Sequence, residues 1–240
     1  MKAVTMILIL CCATPAFAAE CPAQRATCAA AKEAGACPAQ QKATAGETEA
    51  CAVKKPINLF NGEDFNGWKL FIPDANVDPA TVWSVKDGVV HCTGNPAGYM
   101  RTETKYGNYR LRVEWRWPRD AGNSGVLLHI QDKDEVWPKS IEAQLMSGNA
   151  GDFWVIGGTD FKEHRGQIDR RVPKKEPSTE KPLGEWNEYV IECRDDRILV
   201  FVNGVLQNVA TECTVTNGYI GLQSEGTPIE FRTVSLEPLK

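Results

Sequence analysis

Histidine is scarce in this chain, with three among 240 residues, and no two cysteines stand in a Cys-x-x-Cys spacing. That excludes a His-rich or ribbon-type metal site as the organising principle. The formal net charge is −4, so no basic field draws nucleic acid or an anionic membrane. Beyond the N-terminal leader no apolar run approaches the roughly 20 residues that span a bilayer. Outside the first 55 residues no helical period outlasts two turns.

What is present begins with an export address. Lys2 precedes the apolar run AVTMILILCC, and Ala16-Phe17-Ala18 offers a small-x-small cleavage site. We expect residues 1–18 to be a signal peptide and the protein to be exported, periplasmic or secreted. Cys21 invites comparison with lipoproteins, but Glu20 stands where lipid attachment wants a small residue. Seven cysteines remain after cleavage, at positions 21, 28, 37, 51, 92, 193 and 213. The odd number leaves one unpaired within a monomer. Four lie in residues 19–55, a spacer rich in Ala, Gln, Lys and Glu with two Cys-Pro-Ala-Gln copies and too little apolar mass for a core. Cys92 reads as buried and free. Cys193 and Cys213 fit either a disulfide or two small buried hydrophobes.

From Pro56 the texture changes to short alternating segments divided by Gly, Asn, Asp and Pro. In YRLRVEWRWP, Leu111, Val113, Trp115 and Trp117 share one face and Arg112, Glu114 and Arg116 the other. Asp87-Gly88, Asp195-Asp196 and Asn203-Gly204 mark tight hairpins. Many short strands at this spacing make residues 56–240 an all-β domain, a β-sandwich or jelly roll. Residues Ser147–Leu183 read as one long insertion, of the length that usually carries function or lacks structure.

Two segments carry polar residues inside apolar runs. In VLLHI, alternation places Val126, Leu128 and Ile130 on one face and Leu127, His129 and Gln131 on the other. In IEAQLM it separates Ile141, Ala143 and Leu145 from Glu142, Gln144 and Met146. The link between the segments is short, so the two strands should be neighbours. His129, Glu142 and Gln144 then form one outward patch with Trp137 and Lys139 at its rim. The same residues would serve equally as an ordinary solvated strand face. Trp68, Trp83, Trp115 and Trp186 read as core. Trp137 and Trp154 sit in loop-like surroundings and suit a sugar platform, where rings stack on sugar C–H faces while carboxylates and amides read hydroxyls. His91 reads as a local packing residue and His164 as solvated.

Six stretches, LFNGEDFNGWKL, WSVKDGVVHCTGNPAGYMRTETKYGNYRLRVEWRWP, NSGVLLHI, WPKSIEAQLMSGNAGDFW, GEWNEYVIECRDDRILVFVNGVLQN and GLQSEGTPIEFRTVSL, resemble in order the 3-keto-disaccharide hydrolase domain family. The resemblance runs from Asn58 to Leu236 and implies a concanavalin A-like jelly roll with a concave carbohydrate site. It implies cleavage of glycosides already oxidised to a ketone at C3. Glucanases of this fold group carry Glu-x-Asp-x-Glu on one strand, whereas the comparable strand here reads Glu142-Ala143-Gln144-Leu145-Met146. One carboxylate and an amide do not suit double displacement, which needs two carboxyls. A 3-keto sugar offers an elimination route, because the ketone acidifies the C2 proton. On this reading Glu142 is the base, and His129 is an alternative base or the acid. Glu225 is the acid toward the leaving group, at a position where many members of the family carry His, a departure from the family's acid or metal chemistry. Arg101 steadies the enolate oxygen, while Asn123 and Gln144 orient hydroxyls. Some relatives are thought to use a divalent cation, and His129, Glu142 and Glu225 are its candidate ligands. The rival readings are a non-catalytic carbohydrate-binding module and an adhesive envelope protein.

Overall fold

The computed structural model describes residues 55–240. The leader and all but the last residue of the spacer lie outside the described residues. In chain order the strands are β1 (Ile57–Asn58), β2 (Trp68–Phe71), β3 (Trp83–Lys86), β4 (Val89–Cys92), β5 (Gly98–Thr102), β6 (Tyr109–Arg116), β7 (Gly125–Ile130) and β8 (Ser140–Gln144). They continue as β9 (Phe153–Ile156), β10 (Arg171–Val172), β11 (Asn187–Arg194), β12 (Arg197–Val202), β13 (Val205–Ala210), β14 (Tyr219–Ser224) and β15 (Ile229–Pro238). A single 3₁₀ turn, Pro79–Thr81, is the one helical element among the described residues. No described helix is long and apolar enough to cross a membrane.

Two antiparallel sheets face each other. One runs β13-β12-β11-β6-β15-β4-β3, and β1 pairs with the later part of β15. The other runs β10-β9-β8-β7-β14-β5-β2. The tight hairpins form where the turn residues stand. Asp87, Asp195 and Asn203 take positive φ, and Gly88 and Gly204 complete their turns. Alternation supplies the core: Leu111, Val113, Trp115 and Trp117 from one sheet meet Val126, Leu128, Ile141, Ala143 and Leu145 from the other. Trp68 and Trp83 join them, and Cys92, Cys193 and Cys213 are all buried and free.

Three expectations need correction. The insertion Ser147–Leu183 is not structureless, since β9 and β10 lie within it and extend the second sheet. Trp186 is not core: Arg116 and Arg232 each place a guanidinium 4.6 Å from its ring, on the outer side of the first sheet. His164 is not solvated. Its Nδ1 lies 2.7 Å from Asp160 Oδ1 and its Nε2 3.1 Å from the Asp169 carbonyl.

Candidate active site

The outer face of the seven-stranded sheet carries the candidate site. β7 and β8 pair as neighbours, with Leu127 opposite Glu142 and Gly125 opposite Gln144, and β9 brings Trp154 opposite Glu142 on the far side. Because Ile141, Ala143 and Leu145 point into the core, Glu142 and Gln144 point away from it. They line a cavity of about 230 Å³ with Asn123, Trp137, Trp154, Ile156, Arg170 and Glu225. Asn123 bridges Glu225 across the end of β14, which sets both at one end of the cavity.

Glu142 is 5% exposed. Its carboxyl lies over Gly125, where a Cβ would sit 2.3 Å from Glu142 Oε1 and 2.4 Å from Gln223 Oε1. Gly125 is therefore a notch, and any side chain there would displace the acid. Burial and the neighbouring Glu225 push the Glu142 pKa up to about 8, against smaller opposing pulls from the Gln223 amide and the Arg170 charge. Burial likewise lifts Glu225 to about 7, against the pull of the Asn123 amide. Glu142 Oε1, Asn123 Oδ1, Trp154 Nε1 and both amide atoms of Gln223 are buried without a partner at hydrogen-bond geometry, although the Gln223 amide is close enough to act on the Glu142 charge. Buried polar atoms left unpaired are costly, and a polar ligand in this cavity would satisfy those that face it. Gln144 spends its Oε1 on the Leu145 and Met146 backbone N–H groups at 2.9 Å each, which leaves its Nε2 to offer the cavity. Arg170 lies 5.7 Å from the centre of the Trp154 ring.

Three of the expected residues are elsewhere. His129 does not share the face of Glu142. The pairing of β14 with β7 slips by one residue, from Tyr219 opposite Ile130 to Gly221 opposite Leu127. His129 sits within this bulge at φ 57°, so strict alternation fails there and its ring turns inward. It lies edge-on to the core ring of Tyr109 with centroids 5.7 Å apart, and Nδ1 is 3.2 Å from the Val215 carbonyl. Burial lowers its pKa to about 4. Arg101 spends its charge on Asp134, with Nε 2.8 Å from Oδ1, and stacks 4.0 Å from the centre of the Tyr219 ring. Lys139 lines a separate surface depression with Gln131, Lys133 and Glu135.

The donor set does not fit a divalent cation. His129 is turned away into the core, and the positive charge of Arg170 lies near Glu142. Among the described residues no group of three or more His, Cys, Asp and Glu is placed to hold a metal ion.

Sequence reasoning missed Arg170, Ile156, Gln223 and the notch at Gly125. Arg170 hid among the seven basic residues of the insertion, and nothing in the local pattern of Asn123-Ser124-Gly125 marks the glycine as the seat of a carboxyl from the next strand.

The comparisons agree with this architecture. A 3-keto-disaccharide hydrolase of Bacteroides thetaiotaomicron is 23% identical over 232 residues, covering 76% of this chain and 78% of the relative. A crystal structure from Parabacteroides distasonis, of a protein considered a glycosyl hydrolase, matches with TM-score 0.58 at 25% identity, over 77% of this chain and 94% of that one. A β-glucanase of Bacillus licheniformis shares the fold with TM-score 0.51 at 14% identity, over 76% of this chain and 97% of that one. The model of the 3-keto-alpha-glucoside-1,2-lyase-like domain matches residues 55–237, and the chain belongs to that family.

Proposed function

We propose that this member of a glycoside-cleaving enzyme family acts on 3-keto glycosides by elimination and hydration, with Glu142 as base and Glu225 as acid. The observation that carries the reading is a pair of carboxyls at one small cavity, both lifted toward neutral pH, one with an unpartnered oxygen. A base poised near the working pH combines availability with strength. A module that only bound sugars would gain hydrogen bonds from these groups but would have no use for carboxyls that exchange protons near neutral pH.

The chemistry balances as follows. Glu142 removes the C2 proton, and the electron pair delocalises onto the C3 oxygen as an enolate. Arg170, which carries the positive charge near Glu142, takes the stabilising role once expected of Arg101. The C1–O bond then breaks, and the departing oxygen takes its proton from Glu225. Water adds across the resulting C1=C2 bond, with hydroxide joining C1 and the proton on Glu142 returning to C2. Glu225 takes the second proton of that water and the cycle closes. In the free cavity the pair stands in the reverse order, Glu142 at about 8 and Glu225 at about 7. The reactive form is therefore the one in which the shared proton has moved to Glu225, a shift that Arg170 beside Glu142 assists once substrate expels water. Trp154 offers a flat apolar wall to the sugar, and Trp137, at the rim, offers one to the group it carries.

The test is to incubate the purified protein with a 3-keto glucoside and with its unoxidised parent. Release of the leaving group from the keto compound alone is the expected result. Binding of both without release would replace the enzyme with a binding module. We also propose, from the leader, that the protein is exported; a mature N-terminus near Ala19 in the cell-envelope or secreted fraction is the expected result.

A further inference from the structure

We infer that Asp134 is a positioning residue that holds Trp137 at the rim of the cavity as a platform for the group leaving from C1. The inference rests on the reading of the cavity as the keto-sugar site.

The connection between β7 and β8 does not stand free in solvent. It folds back over the outer face of its own sheet, across β14, to reach β5 and β2. Asp134 is the point of attachment. Its carboxylate accepts from Tyr99 Oη at 2.8 Å, from Arg101 Nε at 2.8 Å and from Lys69 Nζ at 2.6 Å. Arg101 is itself buried and stacked on Tyr219, so it is a fixed anchor. Tyr99 belongs to an apolar cluster with Leu127, Ile130 and Ile156 on this face, and Ile156 also lines the cavity. The return of the loop is closed as well. Gln131 N–H donates to the Lys139 carbonyl at 3.0 Å, and the Ser140 hydroxyl donates to the Pro138 carbonyl at 2.9 Å.

Trp137 stands three residues beyond Asp134. It is 39% exposed yet lines the cavity. An indole that open is only partly held by its own packing, which leaves the loop that carries it to fix the rest of its position. The cavity, at about 230 Å³, is smaller than the roughly 300–1,000 Å³ of pockets that enclose drug-sized ligands. It suits one sugar ring, and the group beyond C1 has to lie on the rim, where Trp137 is.

The experiment compares wild type, Asp134→Asn, Trp137→Ala and the double variant on two substrates, a 3-keto disaccharide and methyl 3-keto-glucoside. Asp134→Asn should raise KM for the disaccharide about fivefold, the size of one aromatic stacking contact, with kcat nearly unchanged. The methyl glycoside, too short to reach Trp137, should show no such rise. The double variant should be no worse than Trp137→Ala, because both changes remove one interaction. Should Asp134→Asn fail to fold, Tyr99→Phe, which deletes a single bond to the carboxylate, decides the matter by the same substrate dependence. Equal effects on both substrates, or effects that add in the double variant, would overturn the inference while leaving the site reading intact. A wild type that turns over neither keto substrate would overturn both.

Discussion

Glu114 and Glu142 stand mid-strand on the outer faces of the two sheets and meet opposite fates. Glu114 accepts from Arg232 Nε and Nη2, from Arg112 Nη2 and from the Thr233 hydroxyl. These bonds, that of Arg232 first, hold its pKa down at about 2. Around it the ladder registers acid against base: Arg110 is opposite Glu192 and Arg116 opposite Glu230, and both pairs are joined. Glu142 is more deeply buried and has no such company, and burial first, then the Glu225 charge, lifts its pKa to about 8. Strand geometry is the same on both faces, so the difference lies in burial and in the neighbours. The eight-stranded sheet uses its carboxylates to bind strands together. The seven-stranded sheet buries two carboxyls without a cation paired to either, one of them with an unpartnered oxygen, which costs stability and leaves them able to exchange protons.

The sharpest way to break this contrast is to remove the starved acid. Glu142→Gln should lower kcat on a 3-keto glycoside by about 10³-fold, within the range of general base catalysis. The same change should stabilise the fold. A carboxyl whose folded pKa is raised binds its proton more tightly folded than unfolded, so stability falls as pH climbs from about 4.5 toward 8. Near pH 8 the glutamine variant should exceed wild type by roughly 2–5 kcal/mol in urea unfolding. Lower activity together with lower stability would mean that Glu142 is a structural residue.

Glu225→Gln should cost less, about 10²-fold, and its loss should shrink with a good leaving group such as a nitrophenolate, which needs no acid. The wild-type rate should rise as pH passes about 7 and fall beyond about 8, values that belong to the coupled pair. In the variant the alkaline fall should vanish. The acid limb should move down, because Glu142 no longer feels a second carboxyl. A pH–rate profile with both limbs intact would remove Glu225 from the proton transfers.

The sandwich, the hairpins and the neighbouring of β7 and β8 were legible because alternation and turn residues report directly on backbone geometry. The outward set of Glu142, Gln144, Asn123 and Glu225 followed from the same rule together with the family resemblance. His129 was misread because a bulge adds one residue without leaving a mark in the local pattern; its trace is Gly218, where a Cβ would sit 2.4 Å from the His129 carbonyl carbon. Arg101 was misread because its counter-charge, Asp134, lies 33 positions away on a loop. The inward His129 has its own consequence. A ring held neutral, with pKa about 4 against an ordinary 6.5, lowers stability as pH falls through that window. Wild type should lose about 2 kcal/mol between roughly pH 7 and pH 4.5 from this ring, and the gap to His129→Asn should narrow accordingly in urea titrations. A gap that does not change with pH would place the ring in a solvated setting.

The mildest change sharpens the comparison from the other side. Glu114→Gln removes a carboxylate whose lowered pKa makes it stabilising above about pH 4.5, a contribution lost as pH falls toward 2. Its surroundings are partly open to solvent, which screens the charges, so the loss near neutral pH should be about 1 kcal/mol. High salt should erase most of that loss, because Arg112 and Arg232 are 43% and 42% exposed in their side chains. Activity should not change, since the residue sits on the face opposite the cavity. A Glu114 variant that altered turnover would mean that the two faces are not separate in their work, and that the ion-pair lattice of one sheet sets the geometry of the acids on the other.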